Sequence, residues 1–142
     1  MKDVNAGDVY KLARILGEIA LVATAEPGEK SQPLSTAAIV EDVGRHPGSC
    51  ISDIAQRTRL AQSLVSTTVS RLTDKGVFAA QQDPTDRRRT VVFVVPEATR
   101  SFKARGARTV TDAIAQVLPD ATPSQLARIE STLDRLAGQL LR

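Results

Sequence analysis

Apolar positions along the chain change period in a definite order, and that order predicts the elements. Residues 6–25 set Val9, Leu12, Ala13, Leu16, Ile19, Ala20 and Ala23 at three-and-four spacing, which makes one apolar stripe on a helix. The stretch EPGEKSQP, residues 26–33, breaks that helix with two prolines and a glycine. A short helix over 35–45 turns Ile39, Val40 and Val43 inward. It ends at His46-Pro47-Gly48, since proline disfavours the helical conformation in the residue before it.

Residues 51–95, ISDIAQRTRLAQSLVSTTVSRLTDKGVFAAQQDPTDRRRTVVFVV, read as helix, turn, helix and hairpin. Ser52 is expected to cap a helix carrying Ile54 and Ala55 inward, with the turn at 57–60. The second helix spans 62–75, buries Val65, Val69 and Leu72, and stops at Gly76, where a left-handed cap favours glycine. β-Branched residues over 77–82 and 90–95 predict two strands joined by DPTDRRR, with Pro96 closing the second. One long helix follows over 97–118, with Ala107, Val110, Ile114, Val117 and Leu118 inward, and Pro119 ends it. Thr122-Pro123-Ser124-Gln125 is a helix start, with a capping Thr and a Gln three residues on. The last helix aligns Leu126, Ile129, Leu133, Leu136, Ala137 and Leu140 on one side.

These elements describe a fold that is mainly α with a small β wing: a winged helix-turn-helix over 34–96, flanked by helical regions at 1–33 and 97–142. A length of 142 residues fits about one domain. Only four residues are aromatic, Tyr10, Phe78, Phe93 and Phe102, so Leu, Ile, Val and Ala must build the core. The leucine-rich stripes at the two ends can pack on each other within one chain. The sharper expectation is that they join two copies about a two-fold axis, as dimerisation helices.

Charge adds a direction to that frame. Residues 1–44 hold four Lys/Arg against seven Asp/Glu, whereas 45–89 hold eight against four. A basic middle between acidic ends fits a nucleic-acid face on a dimerising frame, although a solvated basic surface would look the same by charge alone. Arginine outnumbers lysine fourteen to five, which suits bidentate phosphate and base-edge contacts.

In a helix-turn-helix the second helix enters the major groove. Its outward positions here are Gln62, Ser63, Ser66, Thr67 and Ser70. Glutamine can bond adenine in bidentate fashion, and hydroxyls can bond bases or phosphates. Hydroxyl-bearing residues are poor helix formers, so propensity does not explain their density. Ser70 reads as an ordinary exposed residue, and Arg71 is expected near the phosphate backbone. At the hairpin tip, Arg87, Arg88 and Arg89 repel one another and offer nothing to a core. A narrow tip bearing arginines can enter a minor groove. Asp86 is expected to accept a hydrogen bond from a neighbouring arginine and fix its guanidinium.

With those residues in place, the whole chain resembles the MarR family of winged-helix regulators. The likeness is strongest over SDIAQRTRLAQSLVSTTVSRLTDKGVF and on into DPTDRRRTVVFVV. The family's wing carries Asp, any residue, then Arg after an Asp-Pro, which Asp86, Arg87 and Arg88 supply. The resemblance implies that Arg88 is the minor-groove arginine and Asp86 its orienting partner, with Arg87 and Arg89 as backbone or groove-edge contacts. It also implies a homodimer on a pseudo-palindromic double-stranded operator, and a repressor released by a small-molecule effector. Thr67 stands where the family often has arginine, and Val94-Val95 and Ala98 replace the usual Leu-Thr and Gly after the wing. Base readout and the exit from the wing are therefore expected to differ. Tyr10, Arg14 and Phe102 are the candidate effector-pocket residues.

Other functions find little support. A single His, a single Cys, no glycine-rich phosphate loop and no nucleophile elbow argue against an enzyme, and no cofactor is expected. Cys50 excludes a disulfide framework and is expected to be a buried structural thiol rather than a redox sensor. His46 has no partner at metal-ligand spacing. Charged Asp8, Lys11, Arg14 and Glu18 interrupt the first apolar run, so neither a signal peptide nor a membrane span is expected, and a soluble cytoplasmic protein follows. The alternatives left open are a winged-helix module for an acidic protein partner and a DNA-binding regulator that needs no ligand.

Overall fold

Seven helices and one hairpin occupy the computed structural model, which describes residues 3–30 and 32–141. In chain order they are α1 (Ala6–Thr24), α2 (Leu34–Arg45), α3 (Ile51–Thr58), α4 (Gln62–Asp74), β1 (Phe78–Gln82), β2 (Thr90–Val94), α5 (Pro96–Gly106), α6 (Thr111–Val117) and α7 (Pro123–Leu140). The fold is thus mainly helical with a small wing. Ser31, within the predicted linker, lies outside the described residues.

The chain divides into two units, Gln32–Ala104 and Met1–Ser31 with Arg105–Arg142. In the first, Ile39 and Val43 of α2, Ile54 of α3, Val65, Val69 and Leu72 of α4, Phe78 of β1 and Val92 of β2 form one buried cluster. Each fully buried aliphatic side chain there contributes about 1.5–3 kcal/mol, which fixes α3 and α4 against the hairpin. The two strands pair antiparallel from Phe78↔Val94 to Gln82↔Thr90. A bridge ties the hairpin to the entry of α3, because Val92 N–H donates to the Ser49 carbonyl at 2.9 Å and Gly48 N–H to the Val92 carbonyl at 2.9 Å.

The start of α3 corrects one expectation. Ser52 is not its cap: Cys50 holds that position in extended conformation, without a side-chain cap bond, and Ser52 Oγ lies 3.2 Å from Cys50 Sγ instead. Ile51 packs against the buried cluster, so the helix begins one residue before the serine.

In the second unit, Ile19, Ala113 and Ile114 are buried, and Ile15, Leu16, Ala23, Leu126, Ile129 and Leu133 pack around them. Stripes from α1 and α7 therefore converge on α6 within one chain, but only in part. Val9 and Leu12 remain 56% and 51% exposed, and Leu136 and Leu140 are 41% and 71% exposed. Both terminal helices begin or end on designed caps. Asn5 and Asp8 form a reciprocal capping box, and Thr122 and Gln125 form the expected one.

The single helix predicted over 97–118 is two. α5 stops at Gly106, Arg108 N–H bonds back to the Arg105 carbonyl at 3.1 Å, and Val110 leaves helical geometry with ψ 0° before α6. Glycine and two β-branched residues weaken the helix at this point. Arg108 then holds the break, donating to the Ala25 carbonyl at 3.0 Å and pairing with Glu26, while Arg105 reaches Glu29 at 3.0 Å. Ala107 is exposed as a result.

Candidate nucleic-acid interface

The turn from α3 into α4 is built on Arg59, which adopts φ 58° in the left-handed region. Leu60 N–H closes it on the Ala55 carbonyl at 3.2 Å. α4 then rolls Val65, Thr68, Val69 and Leu72 into the core. The 3.6-residue period leaves Gln62, Ser63, Ser66, Thr67 and Ser70 together on its exposed side. No side chain caps α4 at Ala61, so its first-turn N–H groups keep their donor capacity for an anion.

Within this face one hydroxyl is already used as a donor. Thr67 Oγ1 donates to the Ser63 carbonyl at 2.9 Å. Its proton is spent inside the helix, so toward a base edge Thr67 offers oxygen lone pairs and a methyl group. That chemistry suits an amino group or a thymine methyl.

Arg71 is engaged within the fold. Half-buried, it donates through Nη1 to Gln32 Oε1 at 3.2 Å and through Nη2 to Thr36 Oγ1 at 3.1 Å. Thr36 is only 6% exposed, so the guanidinium satisfies a buried hydroxyl. Arg57 is likewise engaged, with Nε on Asp42 Oδ1 at 2.9 Å and Nη2 on Asp42 Oδ2 at 2.8 Å. The hydrogen bond to Asp42 holds its proton more tightly still.

The wing tip is shaped by two aspartates. Asp83 Oδ1 accepts from Thr85 N–H at 2.9 Å and from Thr85 Oγ1 at 2.8 Å. These bonds, the backbone one first, hold its carboxyl below the usual carboxylate range. Asp86 Oδ1 accepts from Arg88 N–H at 3.0 Å. Both are local turns in which an aspartate side chain bonds the backbone two residues on. The expected role of Asp86 is corrected accordingly: it fixes the backbone of Arg88, and no guanidinium bonds it among the described residues. Asp83 was missed, although an aspartate two residues before a threonine is a legible turn signal.

The three tip arginines divide. The side chains of Arg87 and Arg88 are exposed and make no hydrogen bond or ion pair among the described residues, the one bond of Arg88 being its backbone N–H to Asp86. Arg89 turns back to the body, with Nη2 2.9 Å from Cys50 Sγ and 3.3 Å from Asp53 Oδ2. Burial would raise the Cys50 thiol. Hydrogen bonding from Ser52, from the Asp53 N–H and from Arg89 outweighs it, and the thiol sits below its ordinary value.

Tyr10 is 81% exposed and Arg14 exposed on α1, while Phe102 is half-buried in α5 of the other unit. An open groove of about 350 Å³ on α1 is lined by Asp3, Val4, Asp8, Lys11, Leu12 and Ile15, and includes neither Tyr10 nor Arg14. Among the described residues, no helix is long and apolar enough to cross a membrane.

Residues 34–98 match the family model described as a winged helix DNA-binding domain. No curated protein matches the chain by sequence. Solved structures do match it by shape. The PcaV transcriptional regulator from Streptomyces coelicolor, with its natural ligand, is 20% identical over 97% of this chain and 98% of its own, with TM-score 0.58. A mutant MarR from E. coli with operator DNA is 11% identical over 92% and 91%, with TM-score 0.63. BpsR from Bordetella bronchiseptica, regulated in its DNA binding by 6-hydroxynicotinic acid, is 17% identical over 92% and 97%, with TM-score 0.58. Over 34–98 the chain is therefore similar to winged-helix DNA-binding domains. Its fold over nearly the full length is that of the MarR winged-helix regulators, as the resemblance implied.

Proposed function

We propose that the chain is a MarR-type transcriptional regulator that binds double-stranded DNA as a homodimer. One observation carries this reading: a rigid tip bearing the unpartnered Arg87 and Arg88 stands in the same unit as a helix face of Gln62, Ser63, Ser66 and Thr67. Two bare adjacent guanidiniums repel each other until an anion relieves them. In this reading α4 enters the major groove and Arg88 the minor groove, with Arg87 at its edge. Arg71 supports α4 from within, and Asp86 orients the tip through its backbone. DNA binding is assigned to 34–96 and dimerisation to 1–33 with 97–142. The half-bare stripes of α1 and α7, with Leu12 and Leu140 exposed, support that second assignment.

Two of the similar structures are described with small-molecule ligands. We extend this to the chain as a repressor whose effector releases it from a pseudo-palindromic operator, in the cytoplasm where the DNA lies. The test is duplex selection from a random library, followed by fluorescence anisotropy across a salt series. Log affinity is expected to fall with log salt by about 0.9 for each phosphate neutralised. Failure to select any duplex, or binding that ignores salt, overturns the reading. Retention of an acidic polypeptide in place of DNA would favour the protein-partner alternative.

A further inference from the structure

We propose that Arg89 is a wing-positioning residue, which latches the wing to the start of α3 through Cys50 and Asp53 and so sets where Arg87 and Arg88 stand. Its affinity readout rests on the DNA-binding reading above. The backbone of Arg89 closes the tip from both sides: its N–H donates to the Asp86 carbonyl at 3.0 Å, and its carbonyl accepts from Asp83 N–H at 2.9 Å. Its side chain then leaves the tip and reaches α3, where Nη2 meets Cys50 Sγ at 2.9 Å and Asp53 Oδ2 at 3.3 Å. One residue thus joins the tip to the first helix of the helix-turn-helix. β-Pairing runs up to Gln82↔Thr90 at the base of the tip and the Ser49–Val92 bridge ties the hairpin further back, but neither joins the tip to α3.

The partners suit a latch more than a passing contact. Cys50 is 5% exposed, at the N-cap of α3, and its sulfur also lies 3.2 Å from Ser52 Oγ. Pairing with Asp53 draws the Arg89 charge away from Arg88, which lowers repulsion within the tip and leaves the neighbouring guanidiniums facing solvent. The wing's third arginine therefore acts through its neighbours and is not itself a groove contact.

The latch and a direct DNA contact predict opposite results. Asp53→Asn makes the DNA-facing unit more basic, so simple electrostatics predicts tighter duplex binding. A latch predicts weaker binding, by about two- to fivefold, the range set by an exposed ion pair. Arg89→Ala should weaken binding similarly while leaving the slope of log affinity against log salt unchanged. A lost phosphate contact would instead reduce that slope by about 0.9. Thermal melts of both variants keep the comparison to folded protein.

A second measurement needs no DNA. Cys50 is the single cysteine, so ultraviolet thiolate absorbance reports it alone, and Arg89→Ala should move its titration upward. An unmoved titration, an Asp53→Asn protein that binds as tightly as the parent or more so, or a reduced slope in Arg89→Ala would each overturn the latch. If the parent binds no duplex, the regulator reading fails, and the thiol titration still decides the latch.

Discussion

Arg71→Ala separates a basic residue that serves the fold from one that serves DNA. The guanidinium makes hydrogen bonds of 3.2 Å to Gln32 and 3.1 Å to Thr36. Hydrogen bonds to a charged group contribute about 1.5–3 kcal/mol when shielded, and a buried hydroxyl left unpaired costs about 1–3 kcal/mol. Gln32 is only partly shielded, whereas Thr36 is 6% exposed, so the loss falls near the low end of the combined range, about 2 kcal/mol. For a chain of this size each kcal/mol moves Tm by roughly 3–4 °C, which predicts a fall of about 6–8 °C in a circular-dichroism melt. Below that transition the variant should keep the salt slope of the parent on a duplex. An unchanged Tm with a slope reduced by about 0.9 would refute the reasoning, because Arg71 would then be reaching a phosphate.

Other outcomes follow from single residues. Gly76 sits at φ 77° with open space where a Cβ would stand, so Gly76→Ala should destabilise by about 1 kcal/mol, the left-handed backbone penalty alone, in urea titration. A loss several times larger would mean a packing conflict. The Cys50 thiol lies below its ordinary value in the folded state, so the native protein releases this proton first as pH rises. Stability relative to Cys50→Ala should therefore climb from the folded value up to the unfolded thiol value of about 8.5, stay level above it, and be lost as pH falls. A flat difference in urea unfolding between neutral pH and pH about 9 would contradict this. Leu12→Asp removes an apolar side chain that is 51% exposed and outside the core. Burying the exposed half of two symmetry-related leucines contributes about 1.5–3 kcal/mol, so in the proposed dimer sedimentation should show the variant dissociating at higher concentration than the parent, and an unchanged sedimentation profile would contradict this.

What could be read from the sequence was local, and what could not depended on partners far along the chain. The exposed face of α4 follows from the spacing of Val65, Val69 and Leu72, and the stop at Gly76 from its φ preference. The basic tip was equally plain. The destination of each guanidinium was not. Arg89 finds Cys50 and Asp53 across 39 and 36 positions, and Arg71 finds Gln32 across 39. No periodicity encodes such pairings. The break after Gly106 was hidden for a similar reason: the apolar run continues through Val110 to Leu118, while Arg108, which holds the break, bonds to Ala25 and Glu26 more than 80 positions earlier. Asp86 shows the converse. Its importance to the tip was legible, but its partner was the nearest backbone N–H rather than a side chain.

The most direct measurement is the salt dependence of duplex binding by Arg88→Ala beside the parent. Arg88 is exposed, and its backbone alone bonds Asp86, so the substitution should leave the melt unchanged. A minor-groove arginine predicts a loss of about 1–3 kcal/mol in affinity at fixed salt and a slope smaller by about one. Parent-like affinity and slope in the Arg88→Ala protein would contradict the assignment of the wing as a DNA-binding element.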